Sequence, residues 1–212
     1  MLTLFYSPGA CSMASHITLE EAGAQFEAKV ISLAKGEQRT PEYLKINPRG
    51  KVPALRLYDG SVLTENTAIL AYLARRFPDK HLLPTDGAAE ARCISMMAWL
   101  SNTVHPAFTH IFRPERFSEE PGAVEGIRAM GKKTYWAALQ EIDAQVAGKK
   151  WMQGDQFTAC DPYALVFYGW GKRVELPMNE LKHATAWKDR MLERPAVRRI
   201  LEREQNILVK AA

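Results

Sequence analysis

Long apolar runs are missing from this chain of 212 residues. No stretch approaches the roughly 18 consecutive apolar residues of a membrane-spanning helix, so we expect no membrane association. No basic region followed by an apolar run stands at the amino terminus, so we expect no secretory signal. A strong excess of one charge is missing too: 28 Lys and Arg face 24 Asp and Glu, and the signs are interleaved, as in residues 198–204. Such interleaving is typical of a solvated helix face, and we expect no nucleic-acid partner.

Cysteine is scarce, with three residues that lie far apart at Cys11, Cys93 and Cys160. Their spacing contains no Cys-x-x-Cys pair, so the sequence indicates neither a zinc site nor a two-cysteine redox centre, and we expect no metal. A sparse, odd number of cysteines is typical of a reducing compartment, which predicts a cytoplasmic protein.

Strand patterns are confined to the first third of the chain. Residues 2–6 and 26–30 predict strands, and residues 12–22 predict a helix with Ser12 as its candidate N-cap. Thr40-Pro41 predicts a helix start, and residues 50–57 and 61–63 predict two strands around a turn at Asp59-Gly60. A strong helix over residues 64–77 completes the order β-α-β-α-β-β-α, which favours a mixed sheet with helices on its faces.

The rest of the chain is predicted to be helical, over residues 88–113, 121–147, 160–175, 180–194 and 195–208. We therefore expect an α/β domain over residues 1–78, a linker over 79–87 and an all-α domain over 88–212.

Cys11 follows Pro8-Gly9 at the predicted junction of a strand and a helix. Backbone N–H groups at a helix start lack partners, and the helix dipole favours a negative charge there, so we expect a lowered pKa for this thiol. From position alone, Cys11 can also be a small apolar residue that fills the corner.

Five segments together resemble the cytosolic glutathione S-transferase family, most of all its bacterial beta class. They are SPGACSMASHITLEEAG (7–23), NPRGKVPAL (47–55), LTENTAILAYLA (63–74), NTVHPAF (102–108) and GDQFTACDPYA (154–164). They follow the family's order and spacing across nearly the whole chain. The resemblance implies a thioredoxin-like α/β amino-terminal domain, an all-α carboxy-terminal domain, a homodimer, and glutathione as a substrate with no cofactor.

The resemblance implies that Cys11 is the reactive thiol and can form a mixed disulfide with glutathione, with His105 and Lys35 helping to lower its pKa. Other classes use a tyrosine or serine hydroxyl here, so Tyr6, Ser7 and Ser12 remain alternatives, and Ser12 can also hold the thiolate of glutathione.

Val52-Pro53 is similar to the cis-proline beside the thiol site of thioredoxin-like folds, although a trans proline at a sheet edge fits the residues too. In the cis form, the backbone of Val52 would pair with the cysteinyl part of glutathione. Glu65 would take the γ-glutamyl ammonium, and the N–H groups near Asn66 its carboxylate. Simple capping by Thr64 or Asn66 is the alternative.

The remaining implied roles lie in the loops and in the helical region. Lys35 and Lys51 are candidates for the glycyl carboxylate of glutathione, and His105 for proton transfer or sulfur binding. The other implied contacts are Asn102 and Thr103, polar and in part across the dimer, and Phe108, Ile111, Phe112 and Trp170 for a hydrophobic electrophile. Thr158 and Asp161 predict a structural helix cap, and Cys93 and Cys160 are interpreted as inert packing residues.

Two functions fit these residues. The first is an enzyme that conjugates glutathione to hydrophobic electrophiles, with thiol–disulfide exchange through Cys11 as a second activity. The alternative is a binding or regulatory protein of the same fold. The presence of the whole set of glutathione-contacting residues favours the enzyme.

Overall fold

The computed structural model describes residues 1–120 and 122–209. Its four-stranded sheet has the order β2-β1-β3-β4, with β1 Leu2–Tyr6, β2 Phe26–Val30, β3 Ala54–Arg56 and β4 Val62–Thr64. Strand β1 pairs parallel with β2, and β3 pairs antiparallel with both β1 and β4. The predicted mixed sheet and the α/β plus all-α fold class are confirmed.

The helices are α1 Met13–Glu21, α2 Pro41–Leu44, α3 Asn66–Arg76, α4 Gly87–Trp99, α5 His105–Phe112, α6 Ala123–Val146, α7 Cys160–Arg173, α8 Lys182–Glu193 and α9 Pro195–Arg203. Short 3-10 turns lie at Glu37–Arg39, Pro78–Lys80, Pro114–Arg116 and Met178–Glu180. Within the described part of the chain, none of the helices has the length and apolarity needed to cross a bilayer.

Four predicted boundaries are wrong. The strand expected over residues 50–57 is limited to Ala54–Arg56. The single helix expected over residues 88–113 is divided by a π-helical turn at Leu100–Val104. Thr64 belongs to β4, so the helix expected from residue 64 begins at Asn66. The last helix ends at Arg203 rather than at residue 208. The predicted start at Pro121 and the chain's final residues 210–212 lie outside the described residues.

The sheet is covered on both faces because β1 alternates its side chains between them. Leu2 and Leu4 pack with α1 and α3 on one face, and Phe5 packs against Tyr43 of α2 on the other. Helix α1 also places Met13 in a larger core with the carboxy-terminal helices. The amino-terminal and helical regions therefore share α1, and the boundaries proposed at residues 78 and 88 stay a prediction.

The start of α7 is fixed by a buried carboxylate. Asp161 accepts hydrogen bonds from the N–H groups of Met152 (2.9 Å) and Thr158 (2.8 Å) and from the indole of Trp187 (3.0 Å). Burial raises the pKa of Asp161 to about 6. The expected contact between Thr158 and Asp161 is present, and it holds the helix that carries Trp170 into the cleft described next.

Candidate active site

The loop between β1 and α1 is tied together by Ser12. Its hydroxyl accepts a hydrogen bond from the N–H of Ser7 (3.1 Å) and donates one to the carbonyl of Ser7 (3.2 Å). Ser12 makes no side-chain cap to α1 and is fully buried. Ser12 is thus the N-cap residue of α1, as predicted, but its hydroxyl bonds to the loop and not to the helix. Its buried oxygen is also engaged within the loop, which leaves it poorly placed to hold a ligand's sulfur.

Gly9, two residues before Cys11, is held from both sides by the carboxy-terminal region. Its N–H donates to Oε2 of Glu204 (3.0 Å), and its carbonyl accepts from Nε1 of Trp170 (2.9 Å). Oε1 of Glu204 pairs with Nδ1 of His16 (2.8 Å), and both of these side chains are fully buried. Gly9 has φ +70°, a conformation that favours glycine. The helical region thus fixes the position of the thiol loop.

Cys11 itself is partly buried, and its Sγ donates to the carbonyl of Val52 at 3.5 Å. Burial, the largest cause, raises the pKa of Cys11 to about 12, and the negative charge of Glu65 adds to this. The opposing effects of the cysteine's own N–H, of Lys51 and of Asn66 are smaller. The expected lowering of this pKa by the helix start is therefore wrong, because removal of the thiol from water outweighs the local dipole.

The Val52-Pro53 bond is cis, as expected from the resemblance. The preceding carbonyl, that of Lys51, accepts hydrogen bonds from the Tyr43 hydroxyl and from Nδ2 of Asn47, both at 2.7 Å. The Lys51 side chain is exposed at the entrance to the cleft. Buried groups thus position the backbone beside Cys11 and leave a cation available above it.

Glu65 stands at the start of α3 with φ 68° and ψ 124°, which is unusual for a residue with a side chain. Such strain persists only where surrounding structure imposes it, and it clusters at functional sites. The carboxylate is exposed and lies 3.8 Å from Nη1 of Arg49. Arg49 in turn donates to Oγ1 of Thr64 at 2.9 Å.

Asn66 connects two elements of the site. Its Oδ1 accepts from the Ser15 hydroxyl (2.7 Å), and its Nδ2 donates to the carbonyl of Cys11 (2.9 Å). Neither Thr64 nor Asn66 caps α3 through its side chain, so the capping alternative is wrong. The buried Asn66 amide supports the thiol loop, and the backbone N–H groups at the start of α3 are left as the local donors for an anion.

His105 follows the π-helical turn directly, at the first position of α5. Its ring lies 4.9 Å from that of Trp170 and 6.1 Å from that of Phe167. Burial first, and the charge of Lys51 second, lower the pKa of His105 to about 4. A neutral imidazole cannot act as a cation on the Cys11 thiol at pH 7, so that expectation is wrong too.

Aromatic rings form the wall of the cleft that faces His105. Phe108 stacks on Trp170 at 4.2 Å and on Phe112 at 5.4 Å, and the guanidinium of Arg173 lies 4.4 Å from the Phe112 ring. Ile111 is buried behind this wall, in the shared core. Trp170 and Arg173 also line a neighbouring cavity of about 310 Å³ that reaches the thiol loop at Pro8, Gly9 and Ala10.

Three of the predicted polar residues lie apart from these contacts. Asn102 and Thr103 are exposed on the π-helical turn, where the Thr103 hydroxyl donates to Oδ1 of Asn102 (2.7 Å). Lys35 is exposed in the loop after β2, where its N–H donates to the Ser32 hydroxyl. Their roles toward a ligand stay predictions.

Comparison with known proteins decides the family. The model of the glutathione S-transferase amino-terminal domain matches residues 9–76, and that of the carboxy-terminal domain matches residues 102–195. The chain is 38% identical over 205 residues to glutathione S-transferase GstA of Escherichia coli O157:H7, which covers 96% of this chain and 98% of that one. This chain belongs to the glutathione S-transferase family.

Solved structures of the family agree closely with this fold. A glutathione transferase homologue from Sulfitobacter with bound glutathione has a TM-score of 0.91 and 33% identity, over 96% of this chain and 98% of that chain. A sphingomonad glutathione S-transferase complexed with glutathione has a TM-score of 0.85 and 36% identity, over 96% and 98%. A bacterial beta-class enzyme from Sphingomonas chungbukensis has 0.84 and 36%, over 95% and 98%. The resemblance to the family's bacterial members is confirmed.

Tyr163 is a residue of the site that sequence reasoning missed. It is buried on α7, and its pKa is raised by burial and by the neighbouring Cys11 thiol, while Ser101 and Asn66 act on its hydroxyl in the opposite direction. A signal was available in the sequence, since Tyr163 lies four and seven positions before Phe167 and Trp170 and shares their helix face.

The last feature of the site is the set of groups that converge there. Within residues 1–120 and 122–209, no three His, Cys, Asp or Glu side chains gather closely enough to hold a metal ion. The groups that do converge are a protonated thiol, a neutral imidazole, a phenol, free N–H groups at a helix start and an exposed carboxylate. This set suits a thiol peptide that carries both a carboxylate and an ammonium group.

Proposed function

We propose that this protein is a glutathione transferase that joins the sulfur of glutathione to an electrophilic carbon of hydrophobic compounds. The observation that carries the proposal is the contact of the Cys11 thiol with the Val52 carbonyl at 3.5 Å, in a cleft bounded by the start of α3. A thiol, an accessible backbone edge and a helix start together match the three parts of glutathione. The two relatives whose structures contain bound glutathione support the same assignment.

Glutathione is held in this proposal mainly by backbone groups and by charges at the cleft entrance. The N–H groups at the start of α3 bind its γ-glutamyl carboxylate, because a helix start attracts anions. The exposed carboxylate of Glu65 takes the ammonium group of the same end. Val52 pairs with the cysteinyl backbone, as an added strand would. Lys51, whose charge already reaches both Cys11 and His105, is nearer the thiol than Lys35 in this scheme.

The raised pKa of Cys11 suggests how the sulfur of glutathione is activated. A protonated Cys11 is a hydrogen-bond donor, and it can turn from the Val52 carbonyl to the sulfur of bound glutathione once that carbonyl pairs with the peptide. A donor aimed at the sulfur stabilises the thiolate and lowers its pKa. Neutral His105 can relay the released proton to water but, with a pKa of about 4, does not keep it at pH 7.

The electrophile lies against the aromatic wall in this proposal. Phe112 is the exposed ring of this wall and offers a contact for an aromatic substrate, while Phe108, Trp170 and Ile111 are buried behind it. With 1-chloro-2,4-dinitrobenzene as a probe, the sulfur–carbon bond forms, the carbon–chlorine bond breaks, chloride leaves with the bonding electrons, and the thiol proton passes to water.

Calorimetry with reduced glutathione on wild type and Glu65→Ala tests the binding part. Loss of Glu65 leaves the ammonium group unpaired, so we expect affinity to fall by about 1–3 kcal/mol, roughly 5–150-fold. Glu27→Ala is the matched control, because Glu27 is also exposed but lies on β2 and pairs with Lys29. Equal affinity in wild type and Glu65→Ala would contradict this role.

The conjugation assay separates the enzyme from a binding protein of the same fold. We expect turnover of 1-chloro-2,4-dinitrobenzene that depends on glutathione. Tight glutathione binding without turnover of any of several hydrophobic electrophiles would favour the binding protein. Absence of glutathione binding would reject both.

Thiol–disulfide exchange through Cys11 is a further proposal, and the raised pKa weighs against it because the thiolate is the attacking species. Oxidised glutathione should label Cys11 slowly at pH 7 and faster as pH rises. Exchange that survives in Cys11→Ala would remove Cys11 from this role.

The assembly and its setting complete the proposal. We infer a homodimer, to which Asn102 and Thr103 contribute polar contacts, and light scattering that gives a monomer's mass at micromolar concentration would overturn it.

We infer a cytoplasmic location, because the three thiols are free and conjugation consumes reduced glutathione.

A further inference from the structure

Two cysteines outside the candidate active site lie in direct contact. Sγ of Cys93 on α4 and Sγ of Cys160 at the start of α7 are 3.1 Å apart, and the Cys160 thiol also approaches the Cys93 carbonyl at 3.2 Å. They are 67 positions apart in the chain, and both are fully buried. The two sulfur atoms need to approach by only about 1 Å to reach the bond length of a disulfide.

Polar groups surround this pair. Thr158 and the buried carboxylate of Asp161 act on both thiols, and the Gln153 amide lies 4.0 Å from Sγ of Cys160. Structural cysteines that pack only among apolar groups are inert. Cys93 and Cys160 differ from such cysteines, because each has the other sulfur beside it and a hydroxyl and an amide lie close to the pair.

The two thiols are also unequal as acids. The hydrogen-bonding contact with Cys160 lowers the pKa of Cys93, whereas burial first, and the Cys93 sulfur second, raise the pKa of Cys160 well above its usual value. We therefore expect Cys93 to react first with an oxidant and Cys160 to act as the resolving thiol.

We propose that Cys93 and Cys160 form a redox-convertible dithiol, which a small hydroperoxide oxidises to an internal disulfide between α4 and α7. In the first step the Cys93 sulfur attacks the peroxide, the O–O bond breaks, and a sulfenic acid and one water form. In the second step Cys160 displaces the hydroxyl group as a second water, and the S–S bond forms. Two thiols and one hydrogen peroxide thus give one disulfide and two waters. This site is independent of glutathione conjugation.

Gln153 is the side chain that we expect an oxidant to pass. It is only half-buried, and its amide lies 4.0 Å from the sulfur of Cys160. We expect hydrogen peroxide to reach the pair when Gln153 turns away, and the much larger glutathione disulfide to be excluded. The dithiol should therefore discriminate between these oxidants more strongly than the partly exposed Cys11 does.

Peptide mass mapping after hydrogen peroxide treatment tests the proposal. The folded protein is oxidised, denatured in iodoacetamide and digested without reductant. We expect a cross-linked pair of peptides that contain Cys93 and Cys160, with the mass of two hydrogen atoms missing, which dithiothreitol separates. Two alkylated cysteines, or oxidation of either one to a sulfinic acid without a cross-link, would overturn the proposal.

Variants keep the test decisive. Cys11→Ser should still form the cross-link, whereas Cys93→Ser should lose it while Cys160 remains alkylatable. Gln153→Ala should form the cross-link faster than wild type, and Gln140→Ala, on the exposed face of α6, should match wild type. Cross-linking confined to protein that has lost its cooperative thermal transition, or an unchanged rate in Gln153→Ala, would count against a built site with this entrance.

Discussion

The floor of the cleft, residues 7–12, is held by buried groups, whereas its rim, residues 49–51 and 64–66, carries exposed charges. At the floor, Glu204 and Trp170 hold Gly9 by two hydrogen bonds. At the rim, Arg49 and Glu65 form a loose pair at 3.8 Å with both side chains more than half exposed. Buried groups joined by short hydrogen bonds fix the position of Cys11, and loosely paired surface charges stay available to a charged ligand. The floor of the cleft thus positions the thiol, and the rim supplies the charges.

Removal of the Glu204 carboxylate should produce the largest effect on the floor. In Glu204→Ala, the buried His16 ring and the Gly9 N–H lose their partner, and we expect the free energy of unfolding to fall by about 3–5 kcal/mol. Urea denaturation measures this change. Glu202→Ala is the control, because Glu202 is exposed and pairs only with Arg198 on the surface. A loss below about 1 kcal/mol in Glu204→Ala would mean that floor and rim do not differ in this way.

His105 should make the stability of the cleft wall depend on pH. The pKa of His105 is about 4 in the folded chain, and an unfolded histidine has about 6.5, so the unfolded chain binds the proton first as pH falls. The contribution of His105 to the free energy of unfolding is therefore fully present above pH 6.5 and is lost as the pH falls toward 4. After allowance for partial exposure, we expect this loss to be about 1–2 kcal/mol.

His105→Gln should abolish this part of the acid loss. Denaturation of both proteins from pH 7 to 4 isolates the effect, because Asp161, whose raised pKa acts in the opposite direction, is present in both. If the free energy of unfolding of wild type and of His105→Gln fell in parallel with pH, the imidazole of His105 would be no more buried than a residue of the rim.

Arg49→Ala should produce the smallest effect on stability. An exposed pair contributes about 0–1 kcal/mol, and salt screens it. We expect a loss within this range at low salt that shrinks at high salt, with Arg198→Ala as a surface pair for comparison. A loss as large as that of Glu204→Ala would erase the distinction between floor and rim.

The sequence predicted the sheet side of the molecule well because its signals are local. Alternating apolar residues, Thr40-Pro41 and Asp59-Gly60 each fix the backbone within a few positions. Val52-Pro53 and Glu65 each lie in a short motif that can be recognised in the sequence without knowledge of distant contacts. The family resemblance then supplied the order of the motifs, which local patterns do not contain.

The rest depended on contacts between distant segments. Glu204 looked like one more acid on a solvated helix, since nothing near it in the chain indicates Gly9 or His16. The lowered pKa expected for Cys11 was a local argument from the helix start, and burial by distant residues reversed it. The π-helical turn before His105 could not be recognised from its sequence, because leucine, serine and asparagine also occur in ordinary α-helices.

The bond from Gly9 to Glu204 joins residues 195 positions apart. A ribosome adds the thiol loop long before it adds Glu204, the buried partner of Gly9. At roughly 5–20 residues per second, the interval is on the order of 10–40 s. Throughout that time a nascent chain can carry a finished strand and helix around a thiol loop that lacks its anchor. The thiol loop can therefore take its final position only after Glu204 has been added, and a polypeptide truncated before α9 ends would expose Cys11 on an unsecured loop.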